Sequence, residues 1–364
     1  MHNKTKIVVC GARFGQFYLE AIKNAPEFEL VGIYARGSDL AVSVAKYYKT
    51  NLITDIDEVC KKADLVCIAV KTGVLGGKGT ELALEFLNKK IAVVLEQPVH
   101  SSDLTKCYKA ARKNNTAFHV GNLYLNLPQV RRFIDISKKL MEKQNVCYIN
   151  ADMATQLSYP FTRILTEIFG KNRELKTYSD SHHKGIFSNV TLEWDNKVIN
   201  VRAQNEEGST VADNCMHVLF QLVMGTPEGN LTLTDPNGAL LWRSRMKIPN
   251  ATYVPGDLKN ISDLSMESDP VKLISKDHGD YAHILSDIWT GAVTEDIKKT
   301  DEMRKSENST KLMAKEGTIE LSSATCWSEF SKAVGYPVKI DDSPVSEESF
   351  ENIYSDYLVS LPAK

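Results

Sequence analysis

The sequence predicts an α/β fold: a doubly wound parallel sheet in the first third, followed by an α+β domain with a mostly antiparallel sheet. Three observations predict it. Short apolar runs rich in β-branched residues alternate with helical patterns six times before residue 122. One of these runs, 64–70, is apolar almost without a break, as a parallel strand covered on both faces must be. After Tyr124 the strands come in pairs joined by turn residues, which makes antiparallel neighbours. At 364 residues the chain is long for one core and suits two domains, placed here at 1–122 and 123–364.

The first strand, 6–10, runs straight into Gly11-Ala12-Arg13-Phe14-Gly15, and Phe14, Tyr18, Ala21 and Ile22 then recur at helical spacing. A strand passing through glycine into a helix presents free N–H groups and a positive helix end, where a phosphate can sit. The full dinucleotide fingerprint is G-x-G-x-x-G. Here Gly11 and Gly15 stand around Ala12, and the loop is one residue short. Alanine is the smallest alternative where backbone approaches pyrophosphate, so Gly11, Ala12, Arg13, Phe14 and Gly15 are candidate cofactor contacts of a Rossmann-type domain. The remaining units follow in order: strands at 28–34, 51–53, 64–70, 91–95 and 117–120. Helices at 40–48, near Glu58, and at 79–88 and 103–114 lie between them.

The end of the second strand tells which dinucleotide is expected. A cofactor without the 2′-phosphate is usually held there by Asp or Glu. Positions 33–36 carry no acid, whereas Arg36 and Ser38 offer a guanidinium and a hydroxyl suited to a 2′-phosphate. Asp39 is better placed to cap the next helix. The expected cofactor is therefore NADPH, the plain alternative being a surface arginine beside a turn.

In the second part, helices are expected at 124–141 and 156–169, with a strand at 146–153. A hairpin is expected around Asp195-Asn196, and another around Asp235-Pro236-Asn237-Gly238. Helices return at 271–288, 292–305 and 324–333. The cleft between the domains is the natural substrate site.

Composition excludes several classes. A hydrophobic share of 43% and a charged share of 25% are those of a globular protein, and a net charge of −2 is no nucleic-acid footprint. No apolar run reaches membrane-spanning length and no signal-peptide core precedes the first strand, so a cytoplasmic location is expected. Seven scattered cysteines without a C-x-x-C pair read as free thiols, Cys10 and Cys67 inside strands. His182-His183 lacks zinc-ligand spacing and reads as a solvated loop, so no metal is expected.

Chemistry is expected at the carboxyl edge of the first sheet. Glu96-Gln97-Pro98-Val99-His100 follows the fifth strand, where a nicotinamide would lie. Histidine, unperturbed, titrates near neutrality, so a histidine at 100 suits a proton donor; its alternative role is to start the next helix. Tyr124, just past the sixth strand, is the second candidate donor, or else a packing residue between domains. Glu96 and Gln97, with Lys71 and Thr72 of the glycine-rich loop 70–80, are candidate contacts for the cofactor end. Gln156, Arg163 and Trp242 are placed as ordinary residues that could line the cleft.

With these motifs in place, the chain resembles the glucose–fructose oxidoreductase and inositol dehydrogenase family over nearly its whole length. That resemblance implies a Rossmann domain followed by an α+β domain with an open-faced sheet, and homodimers paired through exposed sheet faces. Sugar-oxidising members carry Glu-Lys-Pro after the fifth strand, the lysine serving a proton relay, whereas this chain has Glu96-Gln97-Pro98. A narrower resemblance is to the thiazolinyl imine reductases of siderophore assembly. It rests on Gly11-Ala12-Arg13-Phe14-Gly15 with Tyr18-Leu19, Ala35-Arg36-Gly37-Ser38, Gly76-Gly77-Lys78-Gly79-Thr80 and Pro98-Val99-His100. Gly238-Ala239-Leu240-Leu241-Trp242 and Arg245 extend it into the second domain. It implies NADPH-dependent reduction of a thiazoline C=N bond on a chain tethered to a peptide-synthetase carrier domain. An imine needs one proton donor, His100 or Tyr124, so loss of the relay lysine is tolerable. The competing expectations are a sugar or cyclitol dehydrogenase with an altered relay, and a non-catalytic NADPH sensor.

Overall fold

A computed structural model describes residues 4–70, 77–171, 175–179, 185–246, 269–277, 279–341 and 348–360. The first sheet forms from β1 (Thr5–Cys10), β2 (Phe28–Tyr34), β3 (Leu52–Ile53), β4 (Leu65–Ile68), β5 (Ala92–Glu96) and β6 (Phe118–Gly121). Their order is β3-β2-β1-β4-β5-β6, every pair parallel. Ile7, Val8, Val9, Leu65, Val66, Val93 and Val94 are wholly buried, because helices cover both faces. Each such side chain contributes roughly 1.5–3 kcal/mol of burial. The helices are α1 (Gly15–Asn24), α2 (Asp39–Tyr47), α3 (Ile56–Lys62), α4 (Lys78–Asn88) and α5 (Ser101–Asn114). The strand order reverses between β1 and β4, and ligands of such sheets sit at that switch, beyond the carboxyl ends.

The chain continues through α6 (Leu123–Asn126), α7 (Pro128–Lys143), β7 (Tyr148–Ala154) and α8 (Ser158–Phe169). A single helix over 124–141 was expected. Leu127 is extended instead, because the ring of Pro128 disfavours helix in the residue before it, and the helix restarts with proline at its first turn. Then come β8 (Leu175–Ser179), β9 (Phe187–Trp194), β10 (Lys197–Gln204), β11 (Glu206–Gly208), β12 (Phe220–Thr226), β13 (Gly229–Leu233), β14 (Leu240–Ser244) and β15 (Val271–Ser275).

The second sheet has the order β15-β14-β13-β12-β7-β10-β9-β8, antiparallel except between β7 and β10. Both expected hairpins form. Trp194 pairs with Lys197 around Asp195, whose φ of 54° suits a two-residue turn, and Leu233 pairs with Leu240. One face buries Ile149, Met153, Leu192, Trp194, Val201 and Leu222. The other leaves Tyr148, Asn150, Val198 and Asn200 exposed, so the sheet is open-faced.

The chain ends with α9 (Tyr281–His283), a π-turn at Ile284–Ile288, α10 (Trp289–Lys305), α11 (Ser309–Val334), β16 (Val338–Ile340) and α12 (Phe350–Ser360). The helix expected over 271–288 is corrected here. Residues 271–275 pair with β14 as the edge strand, and the helix starts only after Asp280, whose carboxylate accepts the His283 N–H at 2.8 Å. α10 returns to the first sheet and packs along α1 and β6. Cys10 and Cys67 are buried free thiols, as expected. Among the described residues no helix is long and apolar enough to cross a membrane.

Candidate active site

The crevice starts at Gly11. Its φ is +103°, and a Cβ there would stand 2.8 Å from the Ala69 carbonyl oxygen, so only glycine lets β1 turn this close to the chain leaving β4. The turn delivers the backbone to α1, whose start no side chain caps. That end keeps its positive character for an anion. Arg36 is exposed at the end of β2 and makes no hydrogen bond or ion pair with any described residue. Ser38, not Asp39, caps α2, accepting the Ala41 N–H at 3.3 Å, while Asp39 lies in the first helical turn. Arg13 lines a groove of about 460 Å³ along α1, together with Gln16, Phe17, Tyr47, Tyr48 and Leu285.

At the carboxyl end of β5, Glu96 is largely buried and its Oε2 accepts the Tyr18 hydroxyl at 2.5 Å. Gly121 makes room for this pair, since a Cβ there would meet the Tyr18 oxygen at 2.4 Å. Burial pushes the Glu96 carboxyl up to about 8, with the Asp296 carboxylate adding to it against the Tyr18 hydrogen bond. Glu96 therefore carries its proton at neutral pH. Gln97 follows, joined to Pro98 by a cis peptide bond. Gln97 Oε1 and, at the end of β6, Asn122 Nδ2 are buried without a hydrogen-bond partner among the described residues.

His100 heads α5. Its Nδ1 accepts the Ser102 N–H at 3.3 Å and lies 2.9 Å from Ser102 Oγ. In the neutral ring this puts the proton on Nε2, which makes no hydrogen bond with any described residue. Tyr124 sits between Phe220 and Trp289, ring centroids 5.9 and 5.8 Å away. Its hydroxyl has no described partner, and burial pushes its pKa well up, with Asp213, Asp235 and Glu96 adding. Trp289 Nε1 donates to Asn237 Oδ1 at 3.1 Å, in the β13–β14 turn. Phe17 of α1 packs against Trp289 with tilted rings, centroids 5.5 Å apart. An aromatic bridge thus joins the nucleotide-side helix to the second sheet through Tyr124.

The structure therefore gathers the Gly11–Gly15 loop, Glu96, Gln97 and Tyr124 at one sheet edge, with Arg36 and Ser38 at the end of β2. Lys71, Thr72 and His182-His183 lie outside the described residues. Arg163 does not line the cleft: it is buried against Glu167, Glu316 and Glu320 at 2.6–3.0 Å. Gln156 is spent on the Glu206 and Ala212 carbonyls, and Trp242 packs on Gly229. Sequence reasoning missed Tyr18, Asn122, Asn237, Trp289 and Asp296. Only the turn signal at Asp235–Gly238 could have pointed to any of them. No group of three or more metal-ligating side chains occurs among the described residues.

The residues present fit a nicotinamide dinucleotide: a glycine that permits close approach, an uncapped helix start, and orphaned polar atoms where the ring would lie. Residues 5–122 match the GFO_IDH_MocA family, described as an oxidoreductase family with an NAD-binding Rossmann fold. This stretch is similar to the NAD-binding Rossmann domain of that family, and its parallel sheet has the fold such a domain requires.

Solved structures extend the likeness in fold to the second domain. GenD2 from gentamicin A biosynthesis, in complex with NAD, is similar at 11% identity and TM-score 0.64, over 92% of this chain and 95% of that one. UDP-N-acetylglucosamine 3-dehydrogenase GnnA from Acidithiobacillus ferrooxidans shares 10% identity at TM-score 0.62, over 91% and 98%. An oxidoreductase from Agrobacterium radiobacter, in complex with NAD+, L-tartaric acid and magnesium, shares 12% at 0.64, over 92% and 97%. The curated proteins give no match.

Proposed function

We propose that this chain is a member of the GFO/IDH/MocA family and reduces a thiazoline C=N bond to a thiazolidine with NADPH, on an intermediate tethered to a nonribosomal peptide synthetase carrier domain during siderophore assembly. One observation carries the reading. Around the carboxyl ends of β5 and β6, the ionisable groups Glu96 and Tyr124 are held in their proton-bearing forms, and non-ionisable Gln97 stands beside them. Neither group takes up a proton at neutral pH. Oxidation of an alcohol requires a group that takes one.

The bound cofactor supplies a hydride to the imine carbon, and the ring nitrogen must gain one proton from the protein. The Tyr124 hydroxyl, which has no described partner, and His100 Nε2–H are candidate donors for it among the described residues. Phe220 and Trp289 hold the Tyr124 ring from two sides, so its hydroxyl would be presented in a fixed place. Arg36 and Ser38 support the choice of NADPH, since a free guanidinium and a hydroxyl at the end of β2 suit a 2′-phosphate. The exposed face of the second sheet is the surface through which two copies would pair.

The test is cofactor oxidation, followed by absorbance, with a small thiazoline beside a panel of sugars and cyclitols, with NADPH and NADH. Tyr124→Phe keeps both ring contacts and removes only the hydroxyl, and His100→Ala removes the other donor. Thiazoline-dependent oxidation that falls in one of the two variants is expected. Turnover of a sugar or cyclitol with oxidised cofactor, and none of the thiazoline, would replace this reading with a dehydrogenase. Cofactor binding with no turnover, even of a carrier-loaded thiazoline, would leave a sensor.

A further inference from the structure

Asn122 and Gln97 form a pair that nothing in the fold explains. Glu96 pairs with Gly121 across β5 and β6, so Gln97 and Asn122 are the residues that follow directly where the two paired strands end. Asn122 is 1% exposed, and all but one of its polar groups are committed. Its Oδ1 accepts the Leu125 N–H at 3.1 Å, which fixes the orientation of the amide, and its own N–H donates to Asp296 Oδ2 at 2.9 Å. Nδ2 is left as a buried donor with no described partner, and Gln97 Oε1 is a buried acceptor in the same condition. Leaving both unpaired is costly, and such atoms in a native fold call for a partner.

We propose that Gln97 and Asn122 together read the carboxamide of the nicotinamide ring. Asn122 Nδ2 donates to its carbonyl oxygen, and Gln97 Oε1 accepts from its amide nitrogen. A primary carboxamide is the group that offers one acceptor and one donor on adjacent atoms. Asp296 is a positioning residue for this reader: from α10 it holds the Asn122 backbone at 2.9 Å and so fixes where Nδ2 points. The inference rests on the nicotinamide lying at this edge. It is separable from the imine reading, because it concerns binding alone and stands whether or not any thiazoline turns over.

Calorimetric titration of the full chain tests it, using NADP+, its 3-acetylpyridine analogue, and 2′-phospho-ADP-ribose, which lacks the ring. Asn122→Asp keeps the Oδ1 cap and removes the donor. It is expected to weaken NADP+ about tenfold, while 2′-phospho-ADP-ribose changes less than about twofold. The acetylpyridine analogue has no amide N–H, so the wild type is expected to prefer NADP+, and Gln97→Met is expected to lose that preference. The proposal is overturned if either variant binds the whole dinucleotide as the wild type does. It is equally overturned if Asn122→Asp weakens the ringless fragment as much as NADP+, or if Gln97→Met still discriminates.

Discussion

His119 Nε2 and Asp296 Oδ1 lie 2.9 Å apart, although 177 residues separate them in the chain. Both are buried, and the second oxygen of Asp296 takes the Asn122 N–H. Asp296→Ala would strand an imidazole N–H and a backbone N–H at once. We expect a loss of about 2–4 kcal/mol in urea unfolding. A change below about 0.5 kcal/mol would mean that water takes over both contacts.

Glu96 gives stability a pH dependence of a definite sign. Its carboxyl stands at about 8 in the fold, against 4.5 ordinarily. Between those values the folded state binds the proton and the unfolded chain does not. The contribution is fully present below about 4.5 and is lost as pH rises toward 8. Glu96→Gln, neutral at every pH, is expected to flatten that slope by an amount on the order of a few kcal/mol over the window. Chemical denaturation at half-unit intervals would read it, and parallel slopes for the two proteins would refute it.

Arg36 bears on the choice of cofactor. If its free guanidinium meets a 2′-phosphate, Arg36→Ala should weaken NADPH by about 10- to 100-fold and leave NADH nearly unchanged. Equal losses for both cofactors would make Arg36 a general contact, and no loss for either would make it a surface residue.

The Arg163 cluster is structural. Three carboxylates converge on one buried guanidinium, and Lys299 adds a 2.8 Å contact to Glu316. Arg163→Met is expected to cost about 3–5 kcal/mol, because it leaves carboxylates buried without their partner. Burial would raise Glu316, but Lys299, His119 and Arg163 hold it down at about 2. Its contribution is therefore present above its ordinary 4.5 and lost as pH falls toward 2, which acid titration of the melting temperature would follow.

The first sheet was legible because each strand, covered on both faces, wrote its burial directly into a β-branched run. The hairpin turns were legible for a local reason: Asp195-Asn196 and Asp235-Pro236-Asn237-Gly238 specify backbone shapes. Residues 271–275 misled, since apolar Val271, Leu273 and Ile274 fit a helix face as well as an edge strand. The strand was decided by pairing with β14, a contact no local window contains. The Gly279-Asp280 start signal was there to be read. Glycines at 11 and 15 marked the cofactor loop, but Asp296, Trp289 and Tyr18 entered the site only through tertiary contacts. Their local patterns are those of ordinary helices.

The docking of α10 bears on how the chain can be cut. Asp296 holds the end of β6, and Asp301 accepts the Thr5 hydroxyl at 3.0 Å at the start of β1. Residues nearly three hundred positions downstream thus complete the nucleotide half. An expression fragment stopped at residue 122 would contain every strand of the first sheet and lack the helix that closes its flank. His119 and the Asn122 N–H would open to solvent, and the apolar side of α1 beneath Phe17 would be bare. A fragment meant to keep these contacts would need α10 as well as the run of strands.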